Sequence, residues 1–384
     1  MIYLDNCSTT RPREEVVNVL IESMRDDFGN PSSLHRLGMK SEKRIKQARE
    51  YIARYLNVIT NEVYFTSGGT ESNNIAIQSI VNKLGKRGKH IVTTKIEHPS
   101  VLNIMKNYEQ QGFDITYLNV DNFGYISLEE LRNAIRKDTI LVSIMHVNNE
   151  IGSIQPINEI KNIINLINPN ILLHVDGVQG FGKVDISLKK WGVDSYSFSG
   201  HKIYGPKGIG GLYIDKKHIL SPIAFGGNQE RGLRSGTENI TGIIGFGEAV
   251  RIMTQKFKDE SDHAFKLKKY FASRIREEIK DIRFNTTLDE KSSPYILNIS
   301  FKYVRGEVLL HYLEDKEIYV STSSACSSKG TEKSHVLRGI CLSNEEIEGA
   351  IRFCFSYENT LEDMETTVQV LKESVSEIRQ ITMR

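Results

Sequence analysis

The stretch Leu172–Pro206, LLHVDGVQGFGKVDISLKKWGVDSYSFSGHKIYGP, contains two short β-type runs whose reading decides the fold. The first, Ile171 to Val175, ends in Asp176, with Gln179 three residues on. The second, Tyr196 to Phe198, ends in Ser199-Gly200-His201-Lys202. In a parallel α/β sheet, polar groups just past the carboxyl ends of strands converge on one crevice. Taken singly, an Asp at a strand end is usually a turn or cap residue, and a Lys is usually solvated. Together, an acid and an amine from neighbouring strands suit pyridoxal phosphate. The amine forms the Schiff base, and the acid keeps the pyridinium nitrogen protonated so that the ring draws electrons.

The rest of the chain sets bounds on that reading. A length of 384 residues exceeds one small core and suggests two domains. A hydrophobic share of 39% and a charged share of 26% are ordinary for a globular protein. The net charge of +2 gives no reason to invoke direct nucleic-acid binding. No apolar run reaches membrane-spanning length, so no membrane partner is expected. The opening MIYLDNCSTT has neither a basic leader nor an apolar core, so a cytoplasmic location is expected. Cys7, Cys326, Cys341 and Cys354 are too few and scattered for a disulfide framework, and no zinc spacing occurs. Cys7, Cys341 and Cys354 read as buried apolar thiols.

In chain order, a helix is expected from Glu14 to Phe28 with Val17, Leu20, Ile21 and Met24 on its apolar face. The turn cluster Gly29–Ser33 leads to a basic amphipathic helix, Leu37 to Leu56. A strand from Glu62 to Thr66 runs into Ser67-Gly68-Gly69-Thr70-Glu71-Ser72-Asn73. Strand, glycine turn and helix start make a phosphate cradle, although such a turn is more often only a cap. The strand His90 to Ile96 ends in Glu97-His98-Pro99-Ser100, where Pro99 opens a helix. Ser127 to Glu130 reads as a capping box, as does Ser343 to Glu346. The strand Ile140 to Val147 leads to Asn148-Asn149-Glu150. Strands alternating with helices from Val63 to Tyr213 imply a mostly parallel sheet. Beyond it, Lys256 to Lys280 reads as a long helix into a smaller α+β carboxyl-terminal domain.

HVDGVQ at His174–Gln179 followed by SFSGHKIYGPKGIGGLY at Ser197–Tyr213 resembles the core of the cysteine desulfurases, in the class V aminotransferase group. The resemblance runs over nearly the whole chain. It implies a fold type I pyridoxal phosphate enzyme with a seven-stranded, mostly parallel sheet. The large domain is expected at residues 15–255, and the small one at 1–14 and 256–384, carrying a cysteine loop at about 321–334. By resemblance, Lys202 is the Schiff-base lysine and Asp176 partners the pyridinium. Gly69 and Thr70 cradle the phosphate, and Gln179, Ser199, Gly200 and His201 border the cofactor. His98 stacks on the ring and carries protons, and Asn149 lies near the cofactor hydroxyl and the substrate. The RSGTEN run implies a homodimer in which Thr237 reaches the partner's phosphate.

SSACSS at Ser323–Ser328 is small and polar, and a cysteine there is a poor core residue. Cys326 therefore reads as a reactive nucleophile. The match to the long-loop desulfurases, with SHVL at Ser334–Leu337, makes it the acceptor of substrate sulfur. Arg352 falls in the family's AIR motif, where a guanidinium clamps the substrate carboxylate. The implied reaction converts L-cysteine to L-alanine and leaves a Cys326 persulfide for an acceptor protein. An iron–sulfur scaffold or a tRNA-thiolation enzyme would serve, and the short tail after the last helix favours the second or another specialised partner. Three places depart from the family pattern: Cys7-Ser8 for paired alanines, Lys333 for a proline, and Phe353 to Tyr357. The rival readings are a selenocysteine lyase or class V aminotransferase, and a non-catalytic sulfur-relay scaffold. Transamination needs no thiol, and a scaffold needs none of Lys202, Asp176, His98 and Cys326.

Overall fold

The computed structural model describes residues 1–218, 221–322 and 333–382, so Cys326 and most of its loop lie outside the described residues. In chain order the strands are β1 (Ile2–Tyr3), β2 (Val63–Thr66), β3 (His90–Thr94), β4 (Asp114–Leu118), β5 (Thr139–Met145), β6 (Leu172–Asp176) and β7 (Ser195–Ser199). They continue with β8 (Gly210–Ile214), β9 (Ile282–Phe284), β10 (Ile296–Phe301), β11 (Ile318–Tyr319), β12 (Ser321–Thr322) and β13 (Ala350–Cys354).

The expected α/β architecture is present. A 7-stranded sheet runs β2-β8-β7-β6-β5-β3-β4, with only β8 antiparallel to its neighbours. The sequences TILVSIM of β5 and LLHVD of β6 are buried at every position, as strands covered on both faces must be. In β7, Phe198 stacks on Phe181 with ring centroids 4.5 Å apart. Gly211 of β8 makes room for that ring, because a Cβ there would lie 2.2 Å from it. Strands β2, β3, β5, β6 and β7 run the same way, so the turns after them share one edge of the sheet.

A second, antiparallel 4-stranded sheet runs β12-β13-β10-β9, and β1 pairs with β11. Its core gathers Phe271, Phe301, Phe353, Phe355 and Leu371. The helix Ile240–Glu278 serves both cores, burying Phe246 and Val250 in one and Leu267 and Phe271 in the other. It therefore begins well before Lys256. Its first turns contain Gly242, Gly245 and Gly247, poor helix formers by propensity. Packing overrides this, since a Cβ on Gly245 would meet Leu20 at 2.5 Å and one on Gly247 would meet Ala48 at 2.5 Å.

Three local expectations are corrected. In the first helix, Glu14–Asp26, Val16 and Ser23 are buried, whereas Ile21 and Met24 are 45% and 72% exposed. Leu20 seats against bare Gly245, which turns the helix so that Ile21 and Met24 face outward. Ser127 does cap its helix, but Glu130 turns its carboxylate to the Asn119 amides instead of closing the box. Cys341 is exposed at a left-handed turn (φ 61°) after the short helix His335–Gly339, whereas Cys7 and Cys354 are buried. The box at Ser343 and Glu346 is complete.

The departures near the carboxyl end have packing roles. Phe353 and Phe355 both set their rings against Phe271. Tyr357 lies under the Arg13 guanidinium at 3.9 Å and edge-on to Tyr204. Lys333 pairs with Glu348 at 2.8 Å.

Candidate active site

Five turns at the shared sheet edge enclose a cavity of about 390 Å³. Of the residues singled out in the sequence, Gly69, Thr70, His98, Asn149, Asp176, Gln179, Ser199, His201, Lys202 and Arg352 line it. Gly200 sits behind it, its N–H donating to the Ile209 carbonyl at 3.0 Å. Thr237 is exposed and lines a different recess, outside this cavity.

Asp176, at the end of β6, is 5% exposed. Its Oδ2 accepts from Asn73 Nδ2 at 2.8 Å and its Oδ1 from the Val178 N–H at 3.0 Å. Asn73 is itself fixed, donating to Ser100 Oγ at 2.9 Å and meeting His174 Nε2 at 3.1 Å. His174 reaches Ser195 Oγ at 2.9 Å, and full burial pulls its pKa down to about 3, so the ring is neutral. A buried chain of neutral groups therefore holds one carboxylate in a single orientation.

Lys202 follows β7 in a short 3₁₀ turn, Gly200–Lys202. Its Nζ donates to the carbonyls of Cys7 and, at 2.8 Å, Ser8. Gln179 donates to the same Cys7 carbonyl at 2.9 Å and accepts from Lys183 Nζ at 2.9 Å. The amino-terminal segment thus forms one wall of the site, as the family resemblance of the opening Asp5–Thr10 implies, with Cys7 and Ser8 in the cavity lining.

His98 caps the helix Pro99–Gln110. Its Nδ1 accepts the Ser100 N–H at 3.1 Å, which leaves the proton of the neutral ring on Nε2. Burial lowers the pKa of His98, and Lys202 and His335 reinforce the shift against the pull of Asp176. His335 Nε2 bonds the Glu97 carbonyl at 2.8 Å, and Ser334 Oγ donates to Glu150 at 2.6 Å. The chain emerging from the cysteine loop is therefore tied to the residues next to His98 and Asn149.

Arg352 is 2% exposed. Its Nη1 donates to the Asn149 carbonyl at 2.8 Å, and its Nη2 to Asp5 at 2.8 Å and Ser8 Oγ at 2.7 Å. Nε has no partner, leaving a buried donor unspent at the cavity.

Behind His98, Glu97 is fully buried, with Oε1 accepting from Thr94 and the Met145 N–H while Oε2 has no partner. Burial pushes its pKa up to about 8. The folded protein thus holds a proton here that the unfolded chain releases near 4.5, so this group's contribution falls as pH rises from about 4.5 to about 8. Glu97→Gln is expected to flatten that part of the Tm–pH curve. Equal slopes in the two proteins would show that Glu97 is ionised in the fold.

The donor set fits pyridoxal phosphate. A fixed carboxylate and a lysine amine stand at the ends of adjacent strands. Ser199 Oγ is buried without a partner beside the turn that opens the helix Gly69–Leu84, and that helix start supplies free N–H groups. A Cβ at Gly69 would lie 2.4 Å from Val178, so only glycine fits at the turn. Gly69→Ala is expected to weaken cofactor binding at least 10-fold, measured by fluorescence titration of the apoprotein. Unchanged affinity would exclude this turn from the cradle.

Fold and cavity together define a fold type I pyridoxal phosphate enzyme. The class V aminotransferase model matches residues 2–366. A cysteine desulfurase IscS of Dictyoglomus turgidum is 42% identical over 99% of this chain and 96% of its own. A solved NifS-like protein superposes with a TM-score of 0.92 at 38% identity, covering 98% of this chain and 99% of its own. SspA, solved in complex with cysteine, gives 0.79 at 35% identity over 92% and 99%. The chain belongs to the class V aminotransferase family, as a pyridoxal phosphate-dependent cysteine desulfurase. Among the described residues no helix is long and apolar enough to cross a membrane.

Proposed function

We propose that this desulfurase moves sulfur from L-cysteine to Cys326 with Lys202 as the proton-transferring amine, His98 as the proton carrier and Arg352 as the carboxylate anchor. The observation that carries the reading is the convergence of Lys202, Asp176, His98 and Arg352 on one cavity. Pyridoxal phosphate, when bound, supplies the electron sink that makes the substrate Cα proton acidic. Gly69, Thr70 and Ser199 would hold its phosphate, while His201, Gln179 and Asn149 would border it and Gly200 would back the lysine turn from behind the cavity. Asp176 holds a proton on the ring nitrogen. The Lys202 amine takes the Cα proton. Arg352 Nε and Asn149 orient the substrate carboxylate. His98 Nε2 carries a proton at the substrate sulfur, and the Cys326 thiolate takes the sulfur as a persulfide, releasing alanine.

Arg352→Lys keeps the charge and loses the planar fork. It is expected to raise KM for L-cysteine roughly 10- to 100-fold with a smaller change in kcat. An unchanged KM would remove Arg352 from the substrate site.

We further propose a cytoplasmic homodimer, divided into a large domain at 15–255 and a small one at 1–14 and 256–384, in which Thr237 completes the partner's phosphate site. Two features support the dimer: Thr237 stands exposed outside its own cavity, and Ile21, Met24, Phe28 and Leu34 lie exposed on the amino-terminal side. The persulfide goes to an acceptor protein, an iron–sulfur scaffold or a tRNA-thiolation enzyme.

A further inference from the structure

Two departures from the family pattern, far apart in sequence, meet at the cavity wall. The segment Leu4–Cys7 lies along the end of β13. Asp5 forms a bridge with Cys354, the Cys354 N–H donates to the Leu4 carbonyl at 2.7 Å, and Asn6 Nδ2 donates to the Cys354 carbonyl at 3.0 Å. This sets Cys7 and Cys354 side by side in one buried core, where their side chains interact. Both are free thiols and buried, and Cys7 lines the active-site cavity. We propose that Cys7 and Cys354 are a thiol pair open to modification, which hydrogen peroxide entering the cavity converts to a disulfide.

The two thiols are chemically unequal. The Cys354 thiol, with Lys183, Arg352 and Lys202, favours the thiolate at Cys7 against its burial, and burial beside that thiolate keeps the proton on Cys354. Such a pair has a nucleophile and a resolving thiol. Cys7 Sγ attacks one peroxide oxygen, the O–O bond breaks, and the second oxygen leaves as water, giving a Cys7 sulfenic acid. Cys354 Sγ then attacks Cys7 Sγ, the S–O bond breaks and a second water leaves. Two thiols lose two electrons and two protons, and one peroxide is reduced to two waters. A dithiol reductant reverses the change by exchange. The new bond would tie the wall that holds Lys202 and Gln179 to the strand that carries Arg352, two residues before Cys354.

The test uses the full chain, loaded with pyridoxal phosphate, carrying Cys326→Ser and Cys341→Ser. Of the four cysteines only Cys7 and Cys354 then remain. After hydrogen peroxide and thiol titration in denaturant, both thiols are expected to disappear and both to return with dithiothreitol. Peptide mass spectrometry should find Cys7 joined to Cys354 within one chain. In the same background, Cys7→Ala is expected to leave Cys354 titratable after peroxide. Two thiols surviving peroxide, an irreversible loss, a link between chains, or loss of Cys354 without Cys7 would each overturn the proposal.

Discussion

Lys202→Ala is expected to abolish turnover of L-cysteine, with alanine and sulfide release falling by at least about four orders of magnitude. Proton transfer by a positioned group contributes ~10²- to 10⁴-fold by itself, and the same amine anchors the cofactor. Among the described residues no other lysine can take over. Lys183 spends its ammonium on Gln179, and Lys202 is the one lysine lining the cavity among the described residues. The vacated space is bounded by the Cys7 and Ser8 carbonyls, which accept hydrogen bonds and take up no proton. Alanine release above about one hundredth of the wild-type rate, at full cofactor occupancy, would exclude Lys202 from the proton transfer.

The second large effect is at Asp176. Its two oxygens accept from different donors, Asn73 Nδ2 and the Val178 N–H. An amide supplies one acceptor where the site requires two, so Asp176→Asn loses the charge and one hydrogen bond together. Removing one preorganised electrostatic group costs roughly 10²- to 10³-fold in kcat, and that is the loss expected here. Measuring bound cofactor alongside kcat separates a weakened site from a weakened reaction. A variant with normal occupancy and normal kcat would show that the carboxylate has no part in the chemistry.

The strand ends were legible because the chemistry sits directly on them. Asp176 and Lys202 follow buried runs of unmistakable β character, and Gly69 marks a turn where only hydrogen fits beside Val178. What supports those residues was not legible. Asn73, Ser100 and His174 stand inside the quoted motifs without announcing a role, and their joint hold on Asp176 exists only once the helices Gly69–Leu84 and Pro99–Gln110 pack beside β6. The resemblance put the opening segment beside the site, but nothing local announces that the Cys7 and Ser8 carbonyls will hold the Lys202 amine. The first helix misled for a related reason. Its four apolar residues satisfy helical spacing, but Gly245 on another helix decided which of them turns inward. Cys326 was singled out from composition and resemblance, and it lies outside the described residues.

The most direct measurement of the central claim follows alanine and sulfide from L-cysteine with a thiol reductant, comparing the wild type with Cys326→Ala, both loaded with pyridoxal phosphate. The expected result is a yellow, active wild type and a yellow variant that binds cofactor and releases neither product. A Cys326→Ala variant that makes alanine and sulfide as fast as the wild type would contradict the account, because the sulfur would then leave without passing through Cys326.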